Sequence, residues 1–217
     1  VPDTSDGKTS DFTPALGAFP VLCDEYSAIT DRMLAYFAQP GVVSSIGQKL
    51  GVEQSKPVLG NLKQFLTACQ KLPSQLLHMD FVRGNVLFCK TGSYGQQSAF
   101  YIDDISLSGV IDFEKAALGH PLFDCARSLA FLYVDCSNKS AAQINRYFIE
   151  SGYRKRGQNE LKPLSVECAN GMKYDVLQTA ITLFLYYDWY KLLRANPYES
   201  LAGNYHYRRT TEQLMKR

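Results

Sequence analysis

The sequence predicts an α+β chain that is mainly helical, with one small strand insert near its middle. Apolar residues recur at helical spacing ahead of the insert, at Ile29, Met33, Leu34 and Phe37 and again at Leu59, Leu62, Phe65, Leu66 and Cys69. Between residues 85 and 113 the pattern shifts to short β-rich runs, "NVLFCK", "SAFYIDD" and "LSGVIDF", broken by the turn-rich "TGSYGQQ". From Leu122 a helical pattern returns and lasts to the end of the chain.

Taken in order, residues 1–20 contain Pro and Gly without a clear period and read as a lead-in loop. Pro40-Gly41 stops the first helix. "GVVSSIGQKLG" carries glycines but lacks the G-K-[ST] ending of a phosphate-binding loop, so it reads as a loop and a helix start. The second apolar stripe ends at Pro73, and Asp103-Asp104 in the insert read as a turn. Helices are then expected over residues 124–135, 141–151 and 172–195. The charged loop "YRKRGQNELKP" precedes the longest of these, and "YHYRRTTEQLMKR" forms a last amphipathic helix. There is no internal repeat, low-complexity tract or linker, so 1–217 reads as a single unit.

Composition narrows the function classes. A chain of 217 residues can build a real core, and 46% hydrophobic with 20% charged residues is ordinary for a globular protein. A net charge of +2 gives no general case for nucleic acid or a membrane surface as partner. No run approaches the ~18–20 apolar residues of a membrane helix. The opening "VPDTSDGKTSDF" lacks both an initiating Met and the basic-then-apolar order of a signal peptide. A fragment, a processed form and a trimmed chain all fit that start. Six scattered cysteines without a C-x-x-C read as reduced, mostly buried thiols, which points to the cytoplasm. The three histidines show no zinc-ligand spacing, and a G-x-S-x-G nucleophile elbow is absent.

The chemistry concentrates in "LLHMDFVRGNVLF", residues 76–88. Four polar residues, His78, Asp80, Arg83 and Asn85, interrupt an apolar run, and such groups persist there only when paired or working. Asn85 follows Asp80 by five residues, and Asp112 in "GVIDFE" follows Asn85 by 27. Phosphoryl transfer asks for such a set: one Asp to orient and deprotonate an acceptor hydroxyl, and hard oxygen donors to hold Mg²⁺ against the phosphates. Each residue alone reads as a polar loop or cap residue. Together, in order, they read as functional.

These residues resemble a family. "HMDFVRGNVLF" with "LSGVIDFEKAALGHPLFDCARSLAFL" is similar to the core of the aminoglycoside phosphotransferase and choline kinase superfamily, with homoserine kinases of the same fold close behind. Its pattern is H-x-D-x-x-x-x-N, then I-D-[FW]-E, then Gly-x-Pro-x-x-Asp-x-Ala, a distant relative of the protein-kinase loop. The resemblance implies a protein-kinase-like C-terminal lobe whose small β-hairpin carries the metal site. It implies Asp80 as catalytic base, Asn85 and Asp112 as magnesium and nucleotide ligands, and His78 and Asp124 as braces of the catalytic loop. ATP is then the co-substrate, Mg²⁺ the cofactor and a small hydroxylated molecule the acceptor. Residues 76–133 form the catalytic core, and 134–217 a helical subdomain on the acceptor side.

Residues 1–75 hold no Gly-rich strand-turn-strand and no V-A-I-K-like segment. The expectation is a C-terminal lobe without its ATP lobe, inactive alone and pairing with that lobe or with a second copy. A catalytically silent kinase-like lobe serving as a binding or scaffold module is the alternative, and a Mg²⁺-dependent phosphohydrolase is a third reading. Arg83 reads either as a phosphate contact or as a solvent-facing loop residue. Glu114 reads as a water-mediated metal contact or as an ion-pair partner. In "LYYDWYKLL", Asp188 and Trp189 could hold a cationic substrate head; a core-facing aromatic helix with one solvated Asp is the commoner arrangement.

Overall fold

The computed structural model describes residues 19–42, 52–90, 105–153, 164–196, 198–201 and 203–217. Residues 1–18 of the lead-in loop expected over 1–20, residues 43–51 of the "GVVSSIGQKLG" segment, the "TGSYGQQ" and "SAFYIDD" runs with Asp103 and Asp104, and most of the charged loop lie outside the described residues.

Helix α1 (Leu22–Phe37) pairs with α2 (Val52–Cys69), each turning its apolar stripe inward. Leu22, Met33, Phe37, Leu59 and Phe65 are fully buried along that seam. α1 ends at Phe37, before the Pro-Gly pair read as its stop, and Pro40 instead opens a short helical turn, Pro40–Val42. Its fixed φ and missing N–H suit a first helical position.

At the centre, α3 (Pro121–Asp135) packs on α5 (Val176–Ala195), and α6 (Tyr205–Leu214) lies against both. An aromatic chain runs through this core. Phe65 meets Phe123 at 6.1 Å, Phe123 meets Phe184 at 6.3 Å, and Tyr26 meets Phe184 edge-on at 5.2 Å. Truncating one of these buried rings to Ala costs about 3–5 kcal/mol.

Several boundaries differ from the sequence reading. α3 begins at Pro121 rather than near 124, capped by the His120 side chain, which accepts from Leu122 N. Asp124 therefore lies in the first turn and is not the cap. The 141–151 helix divides into α4 (Ala141–Asn145), opened by a Ser140–Gln143 capping box, and a π-helical stretch, Arg146–Tyr153. The helical run after Leu122 is also interrupted. Strands β5 (Ser165–Glu167) and β6 (Lys173–Asp175) form a hairpin turned by Gly171 at φ 78°, and α5 starts only at Val176, capped by Asp175. Turn chemistry at Asn170-Gly171 and a capping Asp outweighed the helical tendency of 172–175.

The remaining strands position the site. β1 (Gln75–Leu77) pairs antiparallel with β4 (Ala117–Gly119), and β2 (Val86–Lys90) pairs antiparallel with β3 (Ile105–Val110). The sequence reading extended the third strand run to Phe113, whereas β3 stops at Val110. Segments 75–90 and 105–119 thus run side by side as two short ladders with two loops clamped between them. Gly119 allows the α1 end of this clamp to close. A Cβ there would sit 3.0 Å from Leu77 Cδ1 and 3.3 Å from Leu22 Cβ, and Leu118 N donates to Pro20 O at 2.8 Å.

Candidate active site

The loop after β1 carries His78, Asp80, Arg83 and Asn85; the loop after β3 carries Asp112, Glu114 and Lys115. Backbone and side-chain bonds stitch them together. Ile111 N donates to the backbone oxygen of Asn85 at 3.0 Å. The His78 ring lies 2.9 Å, through Nε2, from Ile111 O, while its Nδ1 lies 3.2 Å from Asp80 N. A carbonyl can only accept and a backbone N–H can only donate, so the two contacts select the Nε2–H tautomer. His78 is thereby a hydrogen-bonded spacer between the loops, and the Phe113 ring packs on it at 4.4 Å.

Asp124 anchors the first loop to α3. Its two oxygens accept from His78 N at 2.9 Å and from Met79 N at 2.7 Å. Met79 sits at φ 60° and Asp112 at φ 67°, the two non-glycine residues with positive φ among the described residues. An L-residue in the left-handed region carries a strain of about 1–3 kcal/mol. Both strained positions fall in this pair of loops, and each aims an acidic residue or its neighbour.

Asp80 is 6% exposed. Its Oδ2 accepts from Lys115 Nζ at 2.6 Å, and its backbone oxygen accepts from Val82 N and from Asn85 Nδ2 at 2.9 Å. Because the Asn85 amide nitrogen is engaged, its Oδ1 is the end left to accept or to ligate. Asn85 closes a 3₁₀ turn, Arg83–Asn85, and Asp112 lies two residues beyond β3 rather than within it. The Asp112 carboxylate is exposed, and no side-chain bond engages it among the described residues. The Ile111–Asn85 backbone bond sets Asp112 one residue from the Asn85 pairing.

Two hard oxygen donors on adjoining loops fit Mg²⁺, which keeps its waters and borrows phosphate oxygens rather than filling a protein cage. Among the described residues no group of three or more His, Cys, Asp or Glu side chains could hold a metal ion. A phosphate-dependent ion is the kind this pair of donors suits.

Arg83 is exposed on the 3₁₀ turn. Glu114 lies 3.8 Å from Lys115 Nζ, the ion pair among its two readings. Asp188 is half-buried, and it is not a free carboxylate. Its Oδ2 is 2.7 Å from Arg127 Nη1, and Arg127 is 3% exposed beneath the Phe131 ring at 4.0 Å. Burial alone would lower the guanidinium's pKa, but the charge and hydrogen bond of Asp188 turn the net shift upward. Trp189 is 2% exposed and packs on Phe37 and Tyr186, so it belongs to the core and not to a substrate surface. Sequence reasoning missed Lys115. Its position three residues after Asp112 carries no spacing signal, and the tie to Asp80 needs the two loops to be paired.

Residues 38–164 match the phosphotransferase enzyme family, abbreviated APH, and the match covers more than half of the 217 residues. A mixed, mainly helical fold with small sheets accords with a kinase-like protein. The chain belongs to that phosphotransferase family. No curated protein and no solved structure matches it. No helix among the described residues is long and apolar enough to cross a membrane.

Proposed function

We propose that this protein moves the γ-phosphoryl group of ATP to a hydroxyl of a small molecule. One observation carries the reading: the loops 78–85 and 111–115 are bonded to each other so that Asp80 is held by Lys115. The same stitching leaves the Asn85 amide oxygen and the Asp112 carboxylate free to ligate.

Asp80 takes the proton of the acceptor hydroxyl as that oxygen attacks the γ-phosphorus. The new O–P bond forms while the bond to the β–γ bridging oxygen breaks, and ADP leaves with that electron pair. Asn85 Oδ1 and Asp112 would hold Mg²⁺, which when bound neutralises charge on the phosphates. His78 and Asp124 fix the loop, so little reorganisation is needed as the reaction proceeds. Lys115, 45% exposed at its side chain, can follow the phosphate as charge develops there.

The outer face of the β2–β3 hairpin supports a covering partner. Phe88 is 61% and its cross-strand partner Leu107 59% exposed, with Ile105 beside them. Exposed apolar surface of this kind suits a sheet-rich lobe that closes over the nucleotide. It equally suits a kinase-like module whose role is binding, and turnover separates the two.

The test is mutational. With the nucleotide-covering lobe present, Asp80→Asn keeps the fold and nucleotide affinity while lowering ATP-dependent transfer by about two to four orders of magnitude, because it removes the proton acceptor. Asp112→Ala instead weakens Mg·ATP binding, read by isothermal titration. Unchanged turnover in Asp80→Asn would sink the reading.

A further inference from the structure

Helix α3 holds Asp80 from both sides. Its Asp124 accepts from His78 N and Met79 N, just before Asp80. Its Ser128 donates through Oγ to the backbone oxygen of Phe81, just after Asp80, at 3.1 Å. Asp124 and Ser128 are four residues apart, so they share one face of the helix. An axial slip or a turn of α3 is therefore passed directly to the Asp80 carboxylate.

What fixes α3 is its packing on α5. Both helices bury apolar residues, among them Ala126, Leu129 and Ala130 on α3 and Ala180, Ile181 and Phe184 on α5. Such packing is non-directional, and an apolar core loses uniqueness before it loses stability. A directional contact joins the same two helices: Arg127 Nη1 donates to Asp188 Oδ2 at 2.7 Å. Arg127 is 3% exposed, and its guanidinium carbon lies 4.0 Å from the Phe131 ring centre and 5.6 and 5.7 Å from those of Phe184 and Tyr187. A carboxylate and three rings thus hold one planar cation in one place. For stability alone this is a poor device, since apolar residues of similar volume often do as well as a buried ion pair or better. The best-attested use of such a pair is to select one register.

We propose that Arg127 and Asp188 form a register key: by pinning α3 to α5 they act as positioning residues for Asp80, through Asp124 and Ser128. The proposal rests on the transfer reading for the task of Asp80, while the positioning itself is read without turnover.

The test replaces both charges by apolar groups, Arg127→Met with Asp188→Leu, and follows amide hydrogen exchange residue by residue. The bonded amides of His78, Met79 and Val82 should exchange at least about tenfold faster than in the parent, while those of Phe65 and Leu66 inside α2 stay within about twofold. Arg127→Lys keeps a cation beside Asp188 and should hold the loop amides within about threefold of the parent. With the nucleotide-covering lobe present, kcat of the double variant should fall about tenfold or more, and KM for Mg·ATP should change less than about twofold. A pair that serves stability alone would raise exchange in both places together or stop the double variant folding, and either result overturns the proposal. So do parental loop exchange in the double variant, loop exchange in Arg127→Lys as fast as in the double variant, and parental kcat where Asp80→Asn is inactive. Parental turnover in Asp80→Asn would instead remove the transfer reading and leave the exchange result standing.

Discussion

Lys115 is the residue that ties the second loop to the proposed base. The Asp80 carboxylate accepts a 2.6 Å bond from its ammonium, which fixes the carboxylate's orientation. In the proposed reaction this half-exposed ammonium turns to the arriving phosphate. Lys115→Met should leave thermal stability nearly unchanged and lower kcat/KM by about 10–100-fold, as expected when a phosphate-directed charge is lost. Steady-state kinetics beside a melting curve checks this; a lowered Tm with intact kinetics would make the lysine structural. At this scale the sequence was informative about kinds of residue and silent about pairings. Asp80, Asn85 and Asp112 stand out by order and spacing. The Asp188–Arg127 pair does not, because residues 61 positions apart meet only through helix packing. For the acidic residue among aromatic rings a cation site was the lesser reading beside a core-facing helix; the helix does face the core, and the fold supplies the cation, Arg127, itself.

At the scale of elements, the decisive feature is the tie between the Asp80 loop and α3. Asp124→Ala leaves the N–H groups of His78 and Met79 without their acceptor, in a partly buried setting. Each unsatisfied donor costs about 1–3 kcal/mol, so a loss of about 2–5 kcal/mol is expected in urea denaturation. Turnover should fall as well, since Met79 would relax from its strained φ and carry Asp80 with it. Long elements were legible: α1, α2, α3, α5 and α6 all announce themselves by apolar period. Strands β1 and β4 were not. Three residues each are too few for an alternating pattern, and what makes them strands is their mutual pairing across some forty positions of sequence. The π-helical stretch was equally hidden, because its period differs from an α-helix by too little to read over eight residues.

For the whole molecule, the thiols report how tightly the core is sealed. Cys23, Cys69, Cys125 and Cys168 are buried, Cys136 is half-buried and Cys89 is exposed on the hairpin. Iodoacetamide at about pH 8 should label Cys89 first, Cys136 slowly and the others only on unfolding. Burial, helped by the charge of Asp24, pushes the Cys23 thiol up to about 11 from an ordinary value of 9.0, and burial raises Cys69 and Cys168 as well. The folded chain therefore keeps protons that the unfolded chain releases above pH 9. Stability from this source is complete below pH 9 and falls as the pH rises toward 11. Urea midpoints that decline over that window would bear this out; flat midpoints would mean the thiols are wetter than the fold implies.

The two ladders have a consequence for engineering. Lys90 and Ile105 pair at the end of the β2–β3 ladder remote from Asn85 and Asp112, with a bulge between Leu87 and Phe88 on the way. Added length between positions 90 and 105 enters the loop-closure entropy only logarithmically, and the bulge takes up small changes of register before they reach the catalytic loops. A short peptide tag placed there should leave the urea midpoint close to the parent's, whereas a folded domain should obstruct the partner proposed to cover Phe88 and Leu107 and lower transfer in a coupled ADP-release assay. The candidate site would then sit on a strand pair whose one end is clamped by α1 and α3, and the connection at its other end, between Lys90 and Ile105, becomes a splice point for a short reporter tag.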